Sequence, residues 1–364
     1  MTPDIAQIAR DALDRRPGEA LLWLLGAFHV ALLASIVVIL TFAAPAYAED
    51  AAAECGGRDL LAEMRASDPA RYAALEAEAR KVPNGKGLLW KVEKIGIPAS
   101  YLLGTMHITD PRVVSMPPAA RVAAAGASTV VIESDEILDE KKASMAMLTR
   151  PDLTMFTDGT TLSDHLSPED AKTLENGLKS RGVSLASVSR MKPWILSSFI
   201  ALPACELSRK SKGASFLDKK IAEDAVAAGK KLVGLETLAE QLQAMADLPV
   251  EFHLKALIET LQIGDSMKDI METMTALYLA GETGMTMPML KAVTKDLGGD
   301  PEDGYAAFET RMVIDRNKVM AERSAPILAE GNAFIAVGAL HLPGDQGLVE
   351  LLRAQGFQVT AVEG

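Results

Sequence analysis

Residues 101–108 read "YLLGTMHI" and residues 334–342 read "FIAVGALHL". Each has an apolar run, then a glycine, then a histidine three positions on: Gly104 and His107, Gly338 and His341. Short apolar runs bounded by glycine read as buried strands. The glycine lets the chain turn sharply or lets another backbone approach. Two further runs end in acid: "TVVIE" closes on Glu133 and "KLVGLE" on Glu236. In open α/β sheets, ligands bind outside the carboxyl ends of the strands. If these four strands run parallel in one sheet, His107, Glu133, Glu236 and His341 gather at one edge.

The rest of the chain alternates strands with helices, which argues an α/β fold. "LLWKVEK" and "SYLLGTMH" flank "IGIPA" as a hairpin. "PPAARVAAAG" is a short helix opened by proline. "SPEDAKTLENGLKSRG" has a serine cap, proline at the first position and a closing glycine. The chain ends as strand "AFIAVGA", helix "QGLVELLRAQG" and strand "FQVTAVE". The expected architecture is a central mixed, largely parallel sheet with flanking helices and a large helical insertion at about 137–330. Methionines of the block at 238–330 read as core filler. Ahead of this domain, 88–364, residues 49–87 form a peripheral helical segment interrupted at Asp68-Pro69.

The chain has 364 residues, 49% apolar and 24% charged, with a formal net charge of −12. That acidity argues against nucleic acid as a partner, since phosphate binding needs clustered lysine and arginine. The densest basic stretch, "RKSK" at 209–212, is a solvated loop by composition. Residues 1–48 are different in kind. Arg15 and Arg16 precede an apolar run from about Ala20 to Ala44, and Ala46-Tyr47-Ala48 is an A-x-A cleavage signal. This segment is an export signal with Glu49 as the first mature residue, or an uncleaved anchor, since the run is long enough to span a bilayer. Either way the chain is expected to be periplasmic or secreted, touching membrane only through residues 20–44. In that compartment Cys55 and Cys205 are expected to form a disulfide, although two separate buried thiols would fit the same count.

Neutral imidazole and carboxylate suit a borderline divalent cation, and two histidines with one carboxylate leave positions open for water and substrate. Such a cation would activate water near neutral pH. The second glutamate then has three open roles: further ligand, orienter of a histidine, or general base. Each feature also has a plainer origin, as a satisfied strand-end histidine or a glutamate capping the next helix. Arg316, in "DRNKVMAER", is either a surface ion pair or an arginine aimed at a carboxylate near the cation. Arg112 has the same two readings. His165 reads as an exposed loop residue and His253 as structural. Asp218 and Lys192-Pro193-Trp194 carry no assignable role. No nucleophile elbow, P-loop or dinucleotide fingerprint is present.

"YLLGTMHITDPRV", "VVIESDE", "GKKLVGLETLAEQL", "DRNKVMAER" and "FIAVGALHLPGDQGLVELLRAQGFQV", taken in order, resemble the TraB/GumN family, which includes the Tiki metal-dependent proteases. The resemblance covers about 88–364. It implies a hydrolase-like core with His107, His341 and Glu133 as metal ligands. Glu133, Glu236 and Arg316 would be catalytic, and Asn317 also falls in a family motif. The implied cofactor is a divalent ion, manganese or cobalt before zinc. The resulting expectation is an exported metal-dependent peptidase acting on a peptide or protein substrate. The alternative is a periplasmic protein that sequesters a peptide or signal without cleaving it. Neither substrate nor oligomeric state is legible.

Overall fold

A computed structural model describes residues 55–296 and 305–363. The leader, its cleavage signal and the possible anchor lie outside the described residues. No helix among the described residues is long and apolar enough to cross a membrane.

Six strands form one mixed sheet: β1 (Leu89–Lys94), β2 (Ile97–Thr105), β3 (Thr129–Ile132), β4 (Lys231–Gly234), β5 (Ala333–Gly338) and β6 (Gln358–Ala361). Their spatial order is β4-β3-β5-β2-β1-β6. The four strands that end toward the two histidines and two glutamates are consecutive neighbours, all paired in parallel. Only β1 runs against its neighbours β2 and β6. The expected α/β sheet, mixed and largely parallel, is therefore present.

Burial explains why β5 sits at the centre. Its residues from Ala333 to Val337 are all buried, as expected of a strand covered on both faces. Phe334 and Ala336 join a core with Leu103, Val130 and Ile132, capped by the helices Pro118–Gly126 and Leu217–Ala227. Ile335 and Val337 point the other way, into a core with Met320, Leu328 and Leu352 from the helices Asp315–Glu330 and Leu348–Ala354. Burying each of these large side chains contributes about 1.5–3 kcal/mol.

The hairpin is tighter than expected. β2 already begins at Ile97, so the turn is Ile95-Gly96, with Gly96 at φ +80°. Pro98 is tolerated inside β2 because β5 pairs only from Tyr101 onward and the β1 register slips between Val92 and Lys94; no ladder bond needs its missing N–H. The helical stretch at about 137–330 is interrupted where the strand read ahead of Glu236 falls. The helix Leu217–Ala227 and β4 return within it to the sheet. The helices before and after them form two helical bodies. One is cored by Phe156, Leu174 and Leu257. In the other, Met285 and Met289 pack with Leu61, so these methionines fill core as expected, and the N-terminal segment covers them. That segment is two helices, Leu60–Ser67 and Pro69–Ala79, broken at Asp68, which ends the first and caps the second. Cys55 and Cys205 form the expected disulfide, with Cα atoms 5.4 Å apart.

Candidate metal centre

Strand register builds the site. Ile132 of β3 lies level with Gly234 of β4 and Ala336 of β5, and Ala336 lies level with Leu103 of β2. The chain continuing past that line supplies Glu133, Glu236, His341 and His107. The two glycines of the Gly-x-x-His motifs act by close approach. A Cβ on Gly104 would stand 2.8 Å from Leu342 Cδ1 and 3.0 Å from Ala339 Cα. A Cβ on Gly338 would stand 3.2 Å from Glu133 Oε1 and 3.5 Å from His341 Cδ2.

Glu133 is the hub. Its Oε1 accepts the Gly338 N–H at 2.7 Å and faces His341 Nε2 at 3.8 Å and His107 Nε2 at 3.9 Å. Its Oε2 accepts from Arg316 at 2.6 Å and from Gln241 at 3.2 Å. The same Arg316 Nη2 donates to Glu236 Oε2 at 2.6 Å, and Arg316 Nε donates to both Glu236 oxygens at 3.1 Å. Arg316 is thus aimed at buried carboxylates and makes no surface pair. It emerges just after a π turn at Thr310–Ile314, a local change of helical register that recurs at functional sites. Both oxygens of Glu236 accept from Arg316, a partner that lies outside the three roles open to it from sequence.

His341 is buried, and its Nδ1 lies 2.7 Å from Asn317 Oδ1. The Asn317 amide nitrogen is committed to the Gln346 carbonyl at 2.8 Å, so the hydrogen-bond network assigns the imidazole proton to Nδ1. Nε2 is left with its lone pair directed at the glutamate side. Burial lowers the pKa of His341 to about 4, keeping the ring neutral at neutral pH. His107 differs: its side chain is 51% exposed and its Nε2 stands 3.4 Å from Asp218 Oδ1. Desolvation opposes its charge, but Asp218 and then Glu133 outweigh that and raise its pKa to about 9. Burial likewise opposes ionisation of Glu133, yet His341, His107, Arg316 and the Gly338 N–H hold it down at about 2. With His341 neutral near pH 7, the positive charges acting there are Arg316 and His107.

Sequence reasoning missed Asp218 and Gln241. Both sit in the first turns of amphipathic helices, where a polar residue carries no distinguishing signal. Arg112 forms ion pairs with Asp110 and Glu272, away from the cluster. His165 is not the exposed loop residue expected; it is half-buried, stacked 5.0 Å from Phe156, because a short helical turn at Leu162–His165 folds it back. His253 is structural as expected, bonded to the Met245 carbonyl at 2.8 Å. Lys192 immediately precedes the helix Pro193–Ile200, and its Nζ lies over the Phe156 ring.

The donor chemistry fits a divalent cation. Two ring nitrogens face one carboxylate oxygen, and one of them carries a lone pair fixed by its neighbour. Ligands sharing an ion stand roughly 3.0–3.4 Å apart, about 0.5 Å closer than His107 and His341 stand to Glu133 Oε1. Among the described residues, no group of three or more His, Cys, Asp or Glu side chains is placed to hold a metal ion.

A mixed α/β sheet whose four parallel strands carry two Gly-x-x-His histidines and a glutamate at their carboxyl edge defines the class. The chain belongs to the TraB/PrgY/gumN family, whose model matches residues 88–361. It is also similar to Metalloprotease TIKI1 of Danio rerio, 24% identical over 314 residues, covering 74% of this chain and 62% of the relative. Metalloprotease TIKI homolog of Nematostella vectensis is 22% identical over 327 residues, covering 77% and 68%. The chain thus spans about two thirds of the length of these relatives. No solved structure matches.

Proposed function

We propose that this chain is an exported hydrolase of peptide bonds that depends on a divalent cation, manganese or cobalt before zinc. His107 Nε2, His341 Nε2 and Glu133 Oε1 would hold the cation. It would supply Lewis acidity and an activated water near neutral pH. The observation that carries this reading is the Asn317–His341 pair. A buried imidazole whose proton is held on Nδ1 presents a lone pair to a carboxylate, an arrangement that favours a cation between them. The names of the two relatives support proteolysis as the reaction.

The protein's own residues do the positioning. Arg316 orients Glu133 through Oε2, leaving Oε1 toward the imidazoles, and Glu236 with Gln241 holds the guanidinium in place. Gly338 leaves room beside Oε1 and donates its N–H to it. The disulfide between Cys55 and Cys205 supports an oxidising compartment. The test is elemental analysis of the purified chain, paired with a peptide-library digest with and without chelator. Stoichiometric metal and chelator-sensitive cleavage, both lost in His107→Ala and His341→Ala, are expected. Saturable peptide binding that survives chelation and yields no product would instead establish a sequestering protein.

A further inference from the structure

The cluster contains one more acid than the strand ends supply. Asp218 lies in the first turn of the helix Leu217–Ala227, and its side chain is 5% exposed. Oδ1 accepts the Thr105 hydroxyl at 2.8 Å and stands 3.4 Å from His107 Nε2. Oδ2 is buried and has no hydrogen-bond partner. Leaving a buried acceptor unsatisfied costs about 1–3 kcal/mol, more when it is charged, so such an atom calls for a reason. A favourable interaction with the helix N-terminus is not that reason, since an exposed acid supplies it equally well. The nearby Tyr278 offers no relief, because its hydroxyl donates to the Gly104 carbonyl at 3.0 Å.

We propose that Asp218 is a fourth donor of the cation site, binding the same divalent ion as His107, His341 and Glu133. This rests on the reading of those three residues as ligands. Thr105, the last residue of β2, holds Oδ1 beside His107, so the strand that delivers the histidine also aims the acid. The competing role for Asp218 is counter-ion to a protonated His107. The two roles predict opposite outcomes when the acid is neutralised. A donor lost weakens cation binding, whereas a lost counter-ion lets His107 shed its proton more easily and leaves binding equal or tighter.

The experiment titrates chelator-stripped full chain with Mn2+ alone, following free Mn2+ by electron paramagnetic resonance, and records thermal unfolding with and without the ion. Asp218→Asn is expected to bind Mn2+ at least about tenfold more weakly than wild type and to show a smaller ion-dependent rise in melting temperature. Should that variant fail to fold in chelator, Thr105→Val takes its place, freeing Oδ1 while keeping the carboxylate; a several-fold loss of affinity is expected. Binding by either folded variant within twofold of wild type, or tighter, overturns the assignment. If wild type binds no Mn2+, the cation site and this donor fall together. If wild type binds and the variants bind equally well, Asp218 alone is struck out.

Discussion

Removing the guanidinium at the centre of the cluster gives the sharpest prediction. In Arg316→Met, Glu133 and Glu236 lose the donor they share at 2.6 Å, and both remain in place with side chains 8% and 3% exposed. Breaking a buried pair from one side costs about 3–5 kcal/mol, because an uncompensated charge stays behind. For a chain of this size that is on the order of 10 °C in melting temperature. The pH dependence has a definite sign. Glu133 has its pKa lowered from 4.5 to about 2 in the folded chain, so its contribution is present above 4.5 and is lost as pH falls toward 2. The shift corresponds to roughly 3 kcal/mol. Arg316 is one cause of it, so the gap between variant and wild type should be widest above pH 4.5 and narrow below. Adding Glu236→Gln should recover part of the loss, since one of the two stranded acids is then neutral. Circular dichroism melts in chelator at pH 7, 5 and 3.5 read all three effects without any bound ion. A single variant melting within about 1 °C of wild type at pH 7 would refute the claim that Arg316 holds the acids together.

Asn317→Leu should leave the fold intact but free the His341 proton to move between ring nitrogens, weakening Mn2+ binding about 10–100-fold, as read by titration. Reducing the Cys55–Cys205 bridge, or replacing both with serine, should destabilise the chain by up to about 5 kcal/mol through the long loop it closes, seen as a lower melting temperature. Buried His341 titrates near 4 when folded against an ordinary 6.5, so wild type should lose stability as pH falls from 6.5 to 4. His341→Asn should flatten that slope in a pH series of melts. Cation affinity should rise with pH up to about 9, where His107 loses its proton.

The fold was legible because strand identity and strand ending are local properties. The apolar runs before Gly104, Glu133, Glu236 and His341 read as buried strands, and parallel pairing then follows from the helices between them. The hairpin boundary was not, because Pro98 argues against a strand unless its neighbours are known to leave its nitrogen unpaired. The strand ahead of Glu236 was legible inside the helical stretch, but nothing in periodicity shows that the helix Leu217–Ala227 packs on the sheet beside it. Asp218 illustrates the limit at the site. In sequence it is an ordinary first-turn acid; only the packing of its helix over β3 and β4 buries it beside Thr105 and His107 with Oδ2 left without a hydrogen-bond partner.

Arg316 and Asn317 show how three dimensions divide labour that sequence presents as one motif. Adjacent helical residues point about 100° apart, and here that rotation separates two tasks. Arg316 reaches the chain just past the ends of β3 and β4, binding Glu133 and Glu236. Asn317 reaches His341 beyond the end of β5. One helix, Asp315–Glu330, therefore orients the acid and the imidazole together, and a rigid helix couples their positions. A substitution that rotates this helix should disturb both at once, whereas Arg316→Met should act through Glu133 and add a large stability defect, and Asn317→Leu should act on cation binding through His341.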